Sequence, residues 1–150
     1  MPNPPKVRLR NYKDSDYPEV RKTIIECFGK GYSEEWDSRA NLKGKIRKSP
    51  GSIIIAEVDG RIIGNVFVID DHWAGLISRL AVRKKYRNHG IGLLLMREAE
   101  RRLKRSGVKA LTIFVNDGKE DLKSYYKKDG WTPTSAYRCF YKIVKNKKAA

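Results

Sequence analysis

The order of apolar and polar residues predicts a strand and two helices in the first third of the chain. Apolar and polar side chains alternate over residues 6–10, which predicts a β-strand. Capping residues at 14–16 precede apolar side chains at helical spacing as far as residue 29, which predicts a helix. A second helix is predicted to begin at Ser33, since this serine and the glutamates after it have the residue types of a capping box, and to end before Pro50.

The middle of the chain predicts a hairpin, a further strand and a long helix. The aliphatic runs at residues 52–58 and 61–69 are joined by the Asp-Gly pair at 59–60, which is the strongest short hairpin signal in the chain. A third apolar run at residues 74–82 predicts the next strand. Residues 90–106 carry apolar side chains at helical spacing, which predicts an amphipathic helix.

The last third of the chain predicts a strand over residues 109–115, a helix over 119–128 and a final strand over 137–144. Residues 145–150 are expected to form a loose basic tail. No repeat, linker or low-complexity segment interrupts this order. We therefore predict one domain over residues 1–150, with a mixed α/β fold in which helices cover both faces of a central sheet.

Composition agrees with a globular protein and sets limits on its location. Charged residues make up 33% of the chain and supply a solvated surface, while the aliphatic runs supply a core. No segment approaches the roughly 18 apolar residues of a membrane span, and residues 1–10 lack the apolar stretch of a secretory signal. We expect a cytoplasmic protein without membrane association.

The two cysteines, Cys27 and Cys139, lie far apart and form no CxxC pair. Neither a metal site nor a redox couple is therefore expected, and we interpret both cysteines as packing residues.

Positive charge is the strongest feature of the composition. The formal net charge is +16, and the stretch from residue 79 to residue 109 carries eleven basic residues against two glutamates. Such an excess attracts polyanions, including phosphorylated cofactors, RNA and acidic proteins. A lysine-rich surface adapted to high temperature explains the same composition equally well.

The segment YRNHGIG, residues 86–92, places two glycines between a predicted strand and a predicted helix. Glycine lets the backbone approach a ligand closely, and the N–H groups of a helix start attract phosphate. The P-loop pattern GxxxxGK[ST] is absent from the sequence. The dinucleotide pattern GxGxxG also fails, because its third glycine position is Leu95. The segment therefore predicts an anion site of another kind.

The pattern Arg87-x-x-Gly90-x-Gly92, after an apolar strand and before an amphipathic helix, resembles the acetyl-CoA motif of the GCN5-related N-acetyltransferases. The order of predicted elements is similar to that family from the first strand to the last. The resemblance implies a mixed α/β fold with three αβα layers and a mostly antiparallel sheet that splays at the cofactor site. It also implies acetyl-CoA as the cofactor, with CoA as a product.

The same resemblance assigns most cofactor contacts to backbone groups. In the family, loop amides wrap the pyrophosphate of CoA, and two splayed parallel strands accept the pantetheine arm like an added strand. The corresponding strands here are residues 74–82 and 109–115, and amides near the end of the first also polarise the thioester carbonyl. The implied cofactor-binding residues are Leu80, Ala81, Val82, Arg87, Asn88, His89, Gly90, Ile91, Gly92 and Asn116.

A second segment, YKKDGW at residues 126–131, resembles the family's Tyr-x-x-x-Gly-Phe pattern with tryptophan in place of phenylalanine. By position, Tyr126 lies near the sulfur of CoA and is the implied catalytic residue. A phenol titrates near 10 and a thiol near 8.5, so a tyrosine can protonate the departing thiolate. The alternative is a tyrosine that packs in the core beside Tyr125.

The chain departs from the family pattern around this second segment. The family's Asn-x-x-Ala-x-x-x-Tyr pattern has Lys119 here in place of the asparagine and Leu122 in place of the alanine. The nearest asparagine, Asn116, lies three residues before Lys119. Phe114 replaces a glutamate found on the preceding strand in some protein-acetylating members. No general base transfers from the family. The candidates are a chain of water molecules or one of Glu34, Glu35, Asp70, Asp71 and His72.

We predict direct transfer of acetyl from acetyl-CoA to a primary amine in a ternary complex, since neither cysteine carries a motif for a covalent intermediate. A protein N-terminus or lysine is the leading acceptor and a small amine the second. Two alternatives are a module that binds nucleic acid or the ribosome through the basic 79–109 stretch, and a catalytically silent acyl-CoA sensor. Basic attraction to RNA or the ribosome is also possible as an accessory property, and the oligomeric state is either a monomer or a homodimer.

Overall fold

A computed structural model of the protein describes residues 6–116 and 118–144. The chain divides into two compact units, Met1–Phe114 and Val115–Ala150. The first unit contains a five-stranded sheet and three α-helices: β1 Arg8–Asn11, α1 Tyr17–Phe28, α2 Arg39–Lys48, β2 Ile53–Val58, β3 Arg61–Asp70, β4 Gly75–Val82, α3 Ile91–Arg105 and β5 Leu111–Ile113. The second unit contains α4, Glu120–Lys128.

The strands follow one another across the sheet in the order β1-β2-β3-β4-β5. The pairings from β1 to β4 are antiparallel, and β5 alone runs parallel to its neighbour β4. The parallel step requires a crossover connection, which α3 supplies. The predicted mixed and mostly antiparallel sheet is confirmed.

Helices cover both faces of this sheet, as predicted. Val20 and Ile24 of α1 and Leu42 of α2 pack with sheet residues that project from one face, namely Ile53, Ile55, Ile62 and Phe67. The opposite face is covered by α3, whose buried side chains are Ile91, Leu95, Met96, Ala99 and Leu103. The helical spacing of residues 90–106 predicts this stripe except in the first turns, where Leu94, expected on the apolar face, is exposed and Met96 is buried instead.

The hairpin between β2 and β3 turns at Asp59 and Gly60, as the sequence indicates. Both residues have positive φ, 49° and 75°. A two-residue turn of this kind matches the right-handed twist of the flanking strands, which explains the strength of the Asp-Gly signal.

The predicted start of α2 is wrong by several residues. The hydroxyl of Ser33 does accept a hydrogen bond from the Trp36 amide, at 3.2 Å, but the turn stops there. The Asp37 carboxylate accepts the Ser33 amide, at 3.0 Å, and the chain then extends to Ser38, whose hydroxyl accepts the Asn41 amide and caps α2. Ser33 therefore caps only a single turn, because the Asp37 carboxylate binds the Ser33 amide and the chain does not continue as a helix.

The predicted final strand is also absent, since residues 137–144 have no regular secondary structure. A strand is held by hydrogen bonds to a neighbouring strand, and the described part of the second unit contains no strand to pair with. Cys139 lies in this segment and is exposed, so the interpretation of this cysteine as a packing residue is wrong as well. The predicted basic tail, residues 145–150, lies outside the described residues.

Within the described ranges, no helix combines the length and apolar character needed to cross a membrane.

An acid-sensitive ion pair stabilises α3. The Glu98 carboxylate accepts hydrogen bonds from Arg101 Nε at 2.8 Å and from Arg102 Nε at 2.9 Å. The hydrogen bond from Arg101, followed by that from Arg102, lowers the pKa of Glu98 to about 2. Because this pKa is depressed in the folded state, its stabilisation is present above the unfolded value of about 4.3 and is lost as the pH falls toward about 2.

We expect Glu98→Gln to remove about 1–2 kcal/mol of stability at pH 7 and much less at pH 2.5. A pKa shift of this size corresponds to about 3 kcal/mol, and solvent at the half-exposed Arg101 reduces it. Urea unfolding at the two pH values measures the difference. Glu100→Gln is the control, since the ion pairs of Glu100 are longer, at 3.4 and 3.7 Å. An equal loss of stability at both pH values would contradict the prediction.

Candidate functional site

The sheet opens along one edge of β4. Pairing between β4 and β5 runs only from Gly75 to Ile77, whereas β4 continues to Val82. The end of β4 therefore has no strand partner on this edge among the described residues. Arg83 N donates to Ile63 O of β3 at 2.9 Å, so the alternation of backbone directions turns the Val82 amide toward the open edge, while the Val82 carbonyl accepts Arg87 Nε at 2.9 Å. An extended ligand with amide groups can pair there.

A β-bulge lies where the two strands part. Asn65 of β3 pairs with Ala81, but Phe67 pairs with Ser78, so Arg79 and Leu80 both lie opposite one residue of β3. The φ of Arg79 is 51°, in the left-handed region that favours glycine. A bulge bends its strand and changes the direction of the backbone groups beside it. This one lies directly before Ala81 and Val82.

Two side chains hold the bulge from the α1 face of the sheet. Asp37, which is only 3% exposed, accepts Arg79 Nε at 3.0 Å and Arg79 Nη2 at 2.8 Å. The fully buried Asn65 donates from Nδ2 to the carbonyl of Arg79 at 2.8 Å, and its own Oδ1 has no hydrogen-bond partner among the described residues. The Arg79 guanidinium also lies over the Phe28 ring, 5.2 Å from its centre. No local sequence pattern links Asp37 or Asn65 to the bulge, and the sequence analysis missed both.

The YRNHGIG loop follows β4 and leads into α3. Asn88 and Gly90 both have positive φ, 65° and 76°. His89 Nδ1 donates to the Arg87 carbonyl at 2.8 Å and keeps the loop compact. Left-handed residues at alternate positions turn successive amides toward one side, and such a concave run of N–H groups attracts anions.

The start of α3 adds further amides to this loop. Gly90 is the N-cap residue, and the first backbone hydrogen bond of the helix runs from Leu94 N to Gly90 O at 3.1 Å. The amides before it therefore have no acceptor within the helix, and the positive end of the helix dipole lies with them. Ile91 is buried and anchors this end of α3 in the core, so only its backbone can serve a ligand.

Space for a ligand exists beside both glycines. A Cβ built on Gly90 would meet nothing within 4 Å, and one built on Gly92 would meet only Val82 Cγ2, at 3.9 Å. The two positions differ in backbone conformation, because Gly90 has the positive φ that only glycine adopts easily. Gly92 is an ordinary helical residue, so packing within the chain does not explain why it is glycine.

Arg87 is directed back into the loop. Its Nε donates to the Val82 carbonyl at 2.9 Å, and its Nη2 lies 3.5 Å from the sulfur of Cys27. The Cys27 thiol donates to the same carbonyl at 3.3 Å, which agrees with a packing role for this cysteine. Arg87 therefore fixes the loop against the end of β4 and contributes positive charge beside it.

In the second unit, Tyr126 belongs to the last turns of α4. The Trp131 amide donates to Tyr126 O at 3.0 Å and the Gly130 amide to Lys127 O at 3.2 Å, while Gly130 has a φ of 92°. This is a Schellman helix end, and the Tyr126 and Trp131 rings make its usual apolar contact at 6.3 Å between centres. The YKKDGW pattern therefore has a structural cause: it ends α4 and fixes the tyrosine.

The environment of Tyr126 keeps its phenol protonated. The side chain is half-buried, and burial raises its pKa above the ordinary value of 10.0. A protonated phenol can donate a hydrogen bond at neutral pH. Asn116, also in the second unit, lies outside regular structure, and its carbonyl accepts the Lys119 amide at 3.2 Å.

Three of the five candidate side-chain bases, Glu34, Asp70 and His72, are held by other groups. The hydrogen bond from Arg21 lowers the pKa of Glu34, and the hydroxyl of Tyr32 donates to the same carboxylate at 2.8 Å. Asp70 accepts the His72 amide, and the His72 ring contacts the Ser106 carbonyl at 3.0 Å. Asp70 is the last residue of β3 and His72 lies between β3 and β4, whereas the loop follows the end of β4. A lowered pKa makes Glu34 and Asp70 weaker bases.

The chain matches the acetyltransferase (GNAT) family over residues 17–131. An acetyltransferase of Yersinia pestis (strain Pestoides F) is 26% identical over 123 residues, which cover 81% of this chain and 85% of that protein.

Among solved structures, Ard1 from Thermoplasma volcanium superimposes with a TM-score of 0.75 at 19% identity, covering 86% of this chain and 84% of its own. The PaiA N-acetyltransferase from Thermoplasma acidophilum, solved in complex with coenzyme A, superimposes with a TM-score of 0.72 at 21% identity, covering 83% and 88%. At these identities the likeness shows a shared fold.

Proposed function

The chain belongs to the acetyltransferase (GNAT) family, and we propose that it transfers the acetyl group of acetyl-CoA directly to a primary amine. The observation that carries this proposal is the open edge of β4, which a single 3-10 helical turn, Lys84–Tyr86, connects to the glycine loop and the first turn of α3. The backbone of this region thereby offers hydrogen-bonding groups both for the phosphates and for the extended arm of a phosphorylated ligand. The relative from Thermoplasma acidophilum, which binds coenzyme A, supports the same ligand class.

The residues of the first unit fit acetyl-CoA by type. The amides of the loop and of the first turn of α3 suit the pyrophosphate, and the space beside Gly92 leaves room for it. Backbone groups along Leu80, Ala81 and Val82 suit the amides of the pantetheine arm. An N–H group at this edge can also donate to the thioester carbonyl as negative charge develops on its oxygen.

The transfer step breaks the thioester C–S bond and forms an amide C–N bond. The amine must be neutral to attack, so its proton leaves to a base or to water before the new bond forms. The sulfur departs as a thiolate, and the proposed role of Tyr126 is to donate its phenolic proton or a hydrogen bond to it. The phenol is protonated at neutral pH, as this role requires, and the raised pKa of Tyr126 favours donation of a hydrogen bond over complete transfer of the proton.

The acceptor is proposed to be a protein N-terminus or lysine, with a small amine as the second candidate. Incubating the purified protein with acetyl-CoA and a panel of both kinds of amine, while following the release of free thiol, tests the transfer. Binding of acetyl-CoA without turnover on any amine would instead identify a silent acyl-CoA sensor. Binding of RNA without acetyl-CoA binding or thiol release would instead favour the nucleic-acid-binding alternative.

Acetyl-CoA should stabilise the protein in a thermal-shift experiment, whereas ATP and NAD should not. At a concentration of about one hundred times its dissociation constant, a ligand adds roughly 2.7 kcal/mol to the free energy of unfolding. All three compounds are anionic, so their comparison at equal ionic strength controls for general attraction to a chain of net charge +16. Stabilisation by ATP or NAD but not by acetyl-CoA would contradict the proposal.

A further inference from the structure

We infer that the ion pair between Asp37 and Arg79, together with Asn65, positions the β4 bulge so that its backbone amides point at the thioester carbonyl. The inference rests on the proposed function, and it assigns a positioning role to residues that do not themselves touch the reacting atoms. Two side chains hold the bulge at separate points, Asp37 at the Arg79 guanidinium and Asn65 at the Arg79 carbonyl.

The bulge needs such support because of its backbone conformation. Arg79 has a φ of 51°, at a bulge position where glycine is the usual residue. Non-glycine residues persist in this region only when their surroundings hold them there. Arg79 is held at its side chain by Asp37 and at its carbonyl by Asn65, so the strained conformation has anchors on both sides.

Asp37 also connects the bulge to the segment between α1 and α2. Its carboxylate accepts the Ser33 amide at 3.0 Å as well as two N–H groups of Arg79. A charged pair with 4% exposure at the carboxylate is expensive to bury and is not needed to complete the apolar core. The ion pair lies at the bulge, beside the open edge of β4, and this is the place from which it can orient the backbone amides of that edge.

Asn65 gives an independent indication of the same role. It is fully buried, makes one hydrogen bond to the Arg79 carbonyl, and leaves its Oδ1 without a partner in the part of the chain that the structure describes. A leucine of similar size would remove the unpaired oxygen, so asparagine at this position serves the carbonyl of Arg79 rather than packing alone.

The test compares Asp37→Asn with Asp16→Asn. Asp16 is a close match, since it is also buried, accepts two N–H groups of one arginine at 2.7 and 2.9 Å, and accepts a backbone amide at 2.9 Å. The two carboxylates differ in position, because Asp16 binds Arg10 of β1, which forms the edge of the sheet opposite to β5. Two readouts are used: the isotope-edited infrared frequency of the thioester carbonyl in bound acetyl-CoA, and kcat with the best acceptor.

In the wild type, hydrogen bonds from the bulge should lower the carbonyl frequency relative to free acetyl-CoA. Asp37→Asn should return it toward the free value and lower kcat roughly tenfold, with little change in acetyl-CoA affinity. Asp16→Asn should change neither. Asn65→Leu should act in the same direction as Asp37→Asn and provides a second variant if the first does not fold by circular dichroism.

Three results would overturn the inference. The first is an Asp37→Asn variant with a wild-type carbonyl frequency and kcat, and the second is an equal effect of Asp16→Asn. The third is a wild-type enzyme that turns over without any shift of the carbonyl frequency, which would leave the proposed function intact. Failure of the wild type to bind acetyl-CoA would overturn the proposed function, and this inference with it.

Discussion

Replacing Gly92 with valine should weaken acetyl-CoA binding about 100-fold while the protein remains folded. The new side chain would occupy the space beside the first turn of α3 and keep a phosphate away from its amides. Hydrogen bonds from amides to a charged group are worth about 1.5–3 kcal/mol each, and a 100-fold loss of affinity is about 2.7 kcal/mol, so losing one or two of them gives an effect of this size. The helix itself should not suffer, because valine has a higher helix propensity than glycine.

Isothermal titration calorimetry measures the affinity, and Gly44→Val is the matched control. Gly44 is also a helical glycine, in α2, and a Cβ there would meet nothing within 4 Å. This control should bind acetyl-CoA like the wild type. If Gly92→Val also bound normally, the glycines would serve only to start a helix.

Gly90→Val is expected to abolish binding too, but it is a less informative variant. The φ of 76° at Gly90 disfavours any residue with a Cβ, so a loss of binding would combine blocked space with a strained backbone. Gly92 separates these effects because its backbone is helical.

Tyr126→Phe should lower kcat and kcat/KM together by roughly 10- to 100-fold and leave acetyl-CoA affinity nearly unchanged. If the hydroxyl assists the departing sulfur, it acts mainly as charge develops in the transition state, so both parameters fall. A thiol is already a fair leaving group, which places the effect at the lower end of the range for acid catalysts. Phenylalanine keeps the ring that contacts Trp131.

Tyr125→Phe is the control for this variant, because Tyr125 is the preceding residue of α4 and loses the same hydroxyl. Its ring contacts the Tyr126 ring, with 5.3 Å between centres, so a general disturbance of this helix would appear in both variants. Steady-state kinetics with an identified acceptor, together with separate measurement of cofactor affinity, distinguishes the roles. A wild-type kcat in Tyr126→Phe would leave the tyrosine as a packing residue, and lost affinity would make it a binding contact.

Much of the fold could be predicted because its signals are local. The Asp-Gly turn at 59–60 requires positive φ angles at two consecutive residues. The helical spacing of residues 90–106 indicates which face of the helix is buried against the sheet. The glycine loop is local as well, since strand, loop and helix follow one another along the chain. These features depend on neighbours a few residues away, which a single sequence displays directly.

The bulge and its supports could not be predicted in this way. Asp37 lies 42 residues from Arg79, and no spacing rule connects an acid after a turn with an arginine on a strand. The capping-box pattern at Ser33 predicts that this acid lies within a helix, which hides its role. The strand predicted over residues 137–144 is wrong for the opposite reason: the segment is rich in aromatic and β-branched residues, but composition alone does not provide a strand to pair with.

The open edge of β4 also affects how readily copies of this protein aggregate. Unpaired backbone along a flat strand is a template for another strand and so for aggregation. Here β5 is only three residues long, and the bulge at Arg79 and Leu80 interrupts the flat run of β4. A net charge of +16 adds repulsion between copies. The irregularity that shapes the edge for a small ligand therefore makes it a poor match for a second sheet.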